Sequence, residues 1–285
     1  SFSKEYKESV FSYFLSELVT GNTPNPDILC NREIKFKEFY NYAMSNDYDF
    51  IATGHYAITD NQGLYKGIDN SKDQSYFLHA IDKEVLKKTI FPLGVFKKEN
   101  VRQIAKENSL ITSNKKDSTG ICFIGERPFP EFVASYLSGQ EGNIINENGD
   151  VIGIHQGLVF YTLGQRQGLG IGGVKGSPDL PWYVAKKNLK TNELLCVQGN
   201  DHPLLFSREL STKNFFKLED SLPTSFEGTA KVRYRQEDQG CEINIKDNAL
   251  NVKFDKPQRS VTPGQSVVIY KNNKCLGGGE ICTIN

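Results

Sequence analysis

The chain has 285 residues, 38% hydrophobic and 24% charged, with Lys plus Arg equal to Asp plus Glu at 34 each. That length allows two or three domains of ordinary globular composition. Zero net charge excludes a global pull on nucleic acid or membrane, so any RNA-binding surface has to be a local basic patch.

Residues 3 to 20 place Val10, Phe11, Phe14, Leu15 and Leu18 at helical spacing, with Ser3 able to cap the start and Gly21 able to follow the end. A Pro-rich loop, Gly21 to Asn31, leads to Cys30. A second helix is predicted from about Glu33 to Met44, with Phe36, Phe39, Tyr40 and Ala43 on one face. Tyr48 to Thr53 reads as a short buried strand ending in Gly54-His55-Tyr56. Helix, strand and Gly-containing turn form an α/β signature, in which ligands lie beyond the carboxyl ends of the strands. Residues 63–67 read as a short strand pair before Lys72-Asp73-Gln74. Further helices are expected at about 98–108 and 128–138, the latter started by Pro128 and Pro130.

Glycine becomes dense after residue 139, and Gln156 to Gly173 reads as a turn-rich β unit. From about 206 onward short alternating stretches recur at 228–235, 241–246, 250–254, 266–270 and 279–284. Their spacing suggests a small antiparallel barrel. The expected units are 1–138, an incomplete α/β domain; 139–205, a central Gly-rich β domain; and 206–285, the barrel. No run approaches the roughly 18–20 apolar residues of a membrane span. The first residues show no secretory leader, and the absence of an initiating Met suggests a fragment or a trimmed chain.

Six cysteines, at 30, 122, 196, 241, 275 and 282, include no Cys-x-x-Cys pair. They are too sparse for a disulfide scaffold, which points to a reducing, cytoplasmic setting. Cys196, Cys241, Cys275 and Cys282 lie in β patterns and read as small core residues. Cys30 and Cys122 differ: each follows Pro or Gly, an Asp and small polar residues, a setting that favours thiolate. Cys30 would sit at a helix start whose partial positive charge stabilises a thiolate, with Asp27 three residues before it. The bland alternative is an Asn-Pro-Asp turn that only terminates a helix. Cys122 follows Asp117-Ser118-Thr119-Gly120, where exposed amides can cradle an anion or a persulfide; here the alternative is a tight turn with an incidental thiol. Two such thiols can exchange sulfur by attack on one another. Arg233 and Arg235 would share one strand face opposite Tyr234, an arrangement suited to phosphate and base contacts, or simply an exposed face.

Several runs resemble one family, the bacterial tRNA-specific 2-thiouridylases. They are Thr-Pro-Asn-Pro-Asp-Ile-Leu-Cys-Asn (23–31), Ile-Lys-Phe (34–36), Ala-Thr-Gly-His-Tyr-Ala (52–57), Lys-Asp-Gln-Ser-Tyr-Phe-Leu (72–78) and Phe-Pro-Leu-Gly (91–94). Ser-Thr-Gly-Ile-Cys-Phe-Ile-Gly (118–125), Tyr-Thr-Leu-Gly-Gln-Arg (161–166), Arg-Tyr-Arg-Gln (233–236), Thr-Pro-Gly-Gln-Ser (262–266) and Cys-Leu-Gly-Gly-Gly (275–279) continue them in order. The resemblance implies an ATP-dependent sulfurtransferase acting on the wobble uridine of tRNA. It implies a PP-loop ATP pyrophosphatase-like first domain, ATP accompanied by Mg2+, no tightly bound metal, and a persulfide-carrying sulfur-relay partner.

By matching position, Cys122 would carry the persulfide, and Cys30 would be the nucleophile that ends in a disulfide with it. Asp27 would act as acid or base, with Asn25 and Pro26 shaping a deep target-base pocket, and Gly54 would lie against ATP. His55, Lys72, Asp73, Gln74, Arg233, Tyr234 and Gln265 would contact tRNA. The family's Ser-Gly-Gly-x-Asp-Ser nucleotide loop has no counterpart in these 285 residues, so the chain by itself is expected not to adenylate tRNA. Two competing readings are a thiol–disulfide redox protein and a non-catalytic RNA-binding module.

Overall fold

The computed structural model describes residues 1–60, 62–115, 129–172 and 179–285. Cys122, with the loop from Asp117 to Gly120, lies outside the described residues.

The chain opens with helix from 3 to 19 and resumes helix from 26 to 45. The second helix begins earlier than the sequence suggested. Asn25 is its cap: the side-chain Oδ1 accepts from the N–H groups of Asp27 (3.1 Å) and Ile28 (3.3 Å), and Pro26 takes the first position, where no donor is lost. Across Cys30–Glu38 the helix widens by one residue per turn, so that the Phe39 N–H reaches the Ile34 carbonyl. Such widened turns recur at functional sites.

The α/β signature is realised sparingly, as a parallel pair of Ile51–Ala52 with Thr89–Ile90. The expected buried strand over 48–53 shrinks to these two residues, because Tyr48 and Phe50 are 63% and 56% exposed. The helix expected at 98–108 forms as Lys98–Glu107 but buries no side chain, and the one expected at 128–138 is Phe129–Ala134.

Four strands form the central sheet in the order Val151–His155, Gly142–Ile145, Glu193–Gln198, Trp182–Asn188. It encloses Ile144, Val184, Leu194 and Cys196. The carboxyl-terminal part closes a six-stranded antiparallel barrel. Ser266–Lys271 pairs with Ser225–Lys231, then follow Gln239–Lys246, Ala249–Arg259, Phe206–Thr212 and Lys274–Ile284, which returns to Ser266–Lys271. Along Ala249–Arg259 the alternate residues Leu250, Val252 and Phe254 point inward and are buried, the period of two expected of a strand with one face in the core.

Strand Lys274–Ile284 does more than close the barrel. Its start pairs with Gly63–Lys66, which in turn pairs with Ala57–Asp60. The amino-terminal hairpin therefore extends the barrel's own sheet. One hydrophobic cluster accordingly spans both parts, joining Ile28, Phe36, Tyr76 and Leu78 to Val268, Tyr270 and Cys275. Burying such side chains contributes about 1.5–3 kcal/mol each, so the barrel is a structural partner of the helix that carries Cys30. Cys196, Cys241 and Cys275 are buried as expected. Cys282 is not: it is exposed on the last strand, with its sulfur beside Ser211.

Candidate active site

Cys30 is completely buried, packed with Tyr6, Val10, Leu29 and Ile34. It lies a full turn inside the helix capped by Asn25, not at the helix start, so the macrodipole acts on it less strongly than the sequence implied. Asp27, one turn earlier, is half-buried. The next residue, Asn31, is 2% exposed and bonded at both ends of its amide: its Nδ2 donates to the Phe77 carbonyl (3.1 Å), and its Oδ1 accepts from Lys35 Nζ (2.9 Å).

Asn31 thereby ties the Cys30 helix to the segment Lys72–Leu78. Asp73 pins that segment from within. Its carboxylate is buried and accepts from the N–H groups of Gly67 and Ser75 (both 3.1 Å) and from Ser75 Oγ (3.0 Å). Gln74 also faces inward, its Oε1 accepting from the Tyr56 N–H (3.0 Å). The Asp73 carboxylate is thus taken up within the fold, Gln74 is half-buried with its Oε1 engaged, and these hydrogen bonds order the loop that follows Lys72. Tyr76 continues the same segment into the barrel, its hydroxyl donating to the Ser266 carbonyl (2.9 Å).

The Gly54-His55 turn meets the Cys30 helix through aromatic contacts. His55 lies 5.8 Å from Phe36 and 5.9 Å from Phe91, ring to ring, and Phe36 and Phe91 are 6.0 Å apart. His55 Nδ1 is 2.8 Å from Thr53 Oγ1. Burial, and secondarily the Lys35 ammonium, push the His55 imidazole down to about 3, so at neutral pH it is an uncharged hydrogen-bonding and stacking group. Gly54 is exposed beyond the short strand Ile51–Ala52, and a side chain there would meet only Leu93 Cδ1, at 3.7 Å.

Arg233 and Tyr234 lie in a turn after strand Ser225–Lys231, not on a strand. Three alternating residues are too few to fix a strand, and Arg235 takes a left-handed φ of 64°. Tyr234 packs against Phe77 with ring centroids 4.5 Å apart and planes tilted by 50°, and the Arg235 guanidinium lies over the Tyr234 ring, 5.2 Å from its centroid. Arg233 Nη2 donates to the carbonyls of Arg259 and Ser260. These residues line a cleft of about 500 Å3 with Lys256 and Arg259 and no carboxylate. Two other clefts on the barrel, about 570 and 550 Å3, both include acidic side chains. Of these three clefts among the described residues, it is the one whose lining carries only basic charges, the sign that a phosphate backbone would meet favourably.

Beside Asn25, Ile28 and Arg32 the described residues leave a cavity of only about 20 Å3, the room of a single water. The deep pocket expected there is not formed by these residues. Gln265, expected to touch RNA, has its Nε2 on the Thr23 carbonyl at 2.6 Å.

Six separate motif segments thus converge: 23–31, 34–36, 54–56, 72–78, 233–236 and 262–266. Three family models match the chain in succession. They are the tRNA methyl transferase HUP domain over residues 1–126, the tRNA methyl transferase PRC-barrel domain over 130–198 and the aminomethyltransferase beta-barrel domain over 207–281. The tRNA-specific 2-thiouridylase MnmA of Francisella tularensis subsp. holarctica (strain FTNF002-00 / FTA) is 55% identical over 99% of this chain, which covers 80% of that protein. The protein of the same name from Francisella philomiragia is 54% identical over the same shares. The chain belongs to the MnmA family.

The shared hydrophobic cluster and the hydrogen bonds from Asn31 and Gln265 bring residues far apart in sequence together here, and the family match is consistent with that assembly. The match does not by itself show which of them act. Asn31 and Lys35 were missed from the sequence although they sit one and five residues after Cys30; their spacing of four along a helix was the available signal. Lys256 and Arg259 flank Pro257-Gln258 on a barrel strand, and nothing local marks them as part of the basic cleft. Among the described residues no group of three or more His, Cys, Asp or Glu could hold a metal ion, and no helix is long and apolar enough to cross a membrane.

Proposed function

We propose that this protein transfers sulfur to the 2-position of the wobble uridine of tRNA in an ATP-dependent reaction. The observation that carries this reading is the assembly of the Cys30–Asp27 helix, the Lys72 loop and the basic Arg233 cleft into one continuous structure, in a chain of the MnmA family.

A uracil carbonyl is a poor electrophile, and ATP held with Mg2+ near Gly54 would supply its activation by adenylating the 2-oxygen, which can then leave as AMP. The open surface at Gly54 fits a nucleotide at close backbone range. The chain's own residues then divide the remaining work. The outer sulfur of a persulfide on Cys122, received from a relay protein, forms the new bond to C2 as the activated oxygen departs. The Cys30 thiolate attacks Cys122 Sγ and breaks the sulfur–sulfur bond, leaving sulfur on the base and a Cys30–Cys122 disulfide. A thiol reductant must return that disulfide to two thiols before the next turnover, which suits a reducing, cytoplasmic setting. Asp27, three residues before Cys30, acts as the base that takes the proton the persulfide gives up as its outer sulfur bonds to C2. Asn25 and Pro26 hold Asp27 in place by capping its helix.

The target uridine must leave its stack to reach these groups, and the small cavity beside Asn25 requires an opening when RNA binds. Arg233 and Tyr234, with Lys72 and a neutral His55, contact the tRNA. Asp73 and Gln74 contribute by ordering the Lys72 loop.

The test is a single turnover of full-length protein with tRNA, ATP, Mg2+ and a persulfide-loaded donor, followed by nucleoside analysis and non-reducing peptide mapping. One 2-thiouridine is expected per Cys30–Cys122 disulfide formed. Unaltered thiolation by Cys30→Ser would contradict the scheme. Tight tRNA binding with no sulfur transfer would instead favour a binding module, and reductase activity without tRNA a redox protein.

A further inference from the structure

The loop that leads into the Cys30 helix is held by parts of the fold other than its own. Thr23 lies two residues before the Asn25 cap, and both of its backbone polar groups are taken by the barrel turn at residues 262–265. The Thr23 N–H donates to the Pro263 carbonyl (2.8 Å), and the Thr23 carbonyl accepts from Gln265 Nε2 (2.6 Å). Gly264, with φ +90°, brings its backbone so close that a Cβ there would sit 2.8 Å from Thr23 N and 2.9 Å from Thr23 C.

The turn itself is rigidly set. Gly264 N–H donates to the Ile281 carbonyl (2.9 Å), Ile281 N–H returns to the Gln265 carbonyl (2.8 Å), and Thr262 Oγ1 donates to the Ser260 carbonyl (2.9 Å). At the other end of the loop, Lys187 Nζ from the central sheet donates to the Gly21 carbonyl (3.0 Å), and Leu189 packs at 3.2 Å from where a Gly21 Cβ would be.

We infer that Gln265 is a positioning residue: with Pro263 and Gly264 it clamps Thr23, and so fixes where the Asn25-capped helix places Asp27 and Cys30. The inference rests on the sulfur-transfer reading for its catalytic consequence, but the clamp itself is a statement about the loop. A displacement near 1 Å of a reacting group costs up to about a hundredfold in rate. A barrel strand turn, anchored from two sides, is a firmer reference than the loop alone.

The test uses full-length Gln265→Leu, which keeps the size and loses the donor, and Gly264→Ala, which forces the turn away from Thr23. Three quantities are measured: the tRNA dissociation constant, the single-turnover thiolation rate at saturating tRNA, and the rate of Cys30 alkylation by iodoacetamide without tRNA. The clamp predicts tRNA affinity within twofold of wild type, a thiolation rate reduced about tenfold or more, and Cys30 alkylation faster by roughly fivefold, the scale of one hydrogen bond. Gln265→Asn, with the same amide on a shorter stem, should recover part of both rates.

Tenfold weaker tRNA binding with an unchanged rate at saturation would overturn the inference and make Gln265 an RNA contact. Unchanged Cys30 alkylation in both variants would overturn it outright. Absence of thiolation in the wild-type protein would refute the sulfur-transfer reading, while the alkylation rates would still decide the clamp.

Discussion

Replacing Lys213 by Met tests how the first helix is fastened to the barrel. Lys213 Nζ lies 2.9 Å from Glu17 of the first helix and 2.7 Å from Glu280 of the last barrel strand, and the Tyr13 hydroxyl donates to Glu280 at 2.5 Å. Burial alone would raise Glu17, but hydrogen bonds from Lys213 and Asn22 more than offset it and hold the carboxyl below its usual range. Burial would likewise lower Lys213, and its bonds to Glu280 and Glu17 raise it instead. The two carboxylate side chains are 13% and 16% exposed, the lysine 38%. A buried pair broken on one side costs about 3–5 kcal/mol; solvent at the lysine reduces this, so the expectation is about 2 kcal/mol. Met keeps the apolar stem, so the loss reports charge rather than packing. Urea unfolding at pH 7.5 should show the unfolding free energy falling by that amount, through a lower midpoint at an unchanged slope. Lys213→Met combined with Glu280→Gln should cost less than the sum of the two single changes, because the residual charge repulsion is removed. A loss below about 0.5 kcal/mol, additive with Glu280→Gln, would refute the reasoning.

Acid should weaken the fold before its carboxylates titrate. Burial holds His79 down to about 4 and His55 to about 3, against 6.5 for an ordinary imidazole. Below pH 6.5 the unfolded chain takes up protons that the folded one refuses, so stability present above 6.5 is progressively lost as the pH falls toward 4. Unfolding free energies from urea titrations at pH 7 and 5.5 should differ by about 1 kcal/mol per histidine; a flat profile would contradict the burial. Gly94→Ala would drive a Cβ to 1.7 Å from the Ala57 carbonyl oxygen and strain the Ile68 N–H bond to the Gly94 carbonyl. A loss of about 3 kcal/mol in thermal or urea unfolding is expected, and a neutral result would mean the two segments separate easily. In the basic cleft, Lys256→Gln should weaken tRNA binding for all sequences alike and reduce the log–log salt slope by about 1. An unchanged slope in a filter-binding titration would place the RNA elsewhere.

The elements formed by local pattern were legible in the sequence. Alternation marked five of the six barrel strands, whereas the second helix, expected from about Glu33 with Cys30 at its start, begins at the Asn25 cap and holds Cys30 a turn further in. Short apolar runs misled: Tyr48 and Phe50 looked buried and are exposed, since four to eight residues cannot distinguish a core strand from a surface segment. What the sequence could not show was long-range pairing. The hairpin 57–66 continuing the barrel sheet, Asn31 meeting the Phe77 carbonyl, and Gln265 meeting the Thr23 carbonyl join residues 46 to 242 positions apart. Such contacts arise from packing and leave no local signature. The resemblance named residues around Cys30 and beyond, and the structure places the Asp73 carboxylate inside the fold and Arg233 and Tyr234 on the basic cleft.

The central claim is that Cys30 and Cys122 together deliver sulfur to tRNA. It is tested most directly by mass spectrometry of the wobble nucleoside in tRNA from cells whose own gene is replaced by Cys30→Ser or Cys122→Ser. The account predicts that 2-thiouridine disappears in both while protein levels are maintained. Undiminished 2-thiouridine in either strain would contradict it.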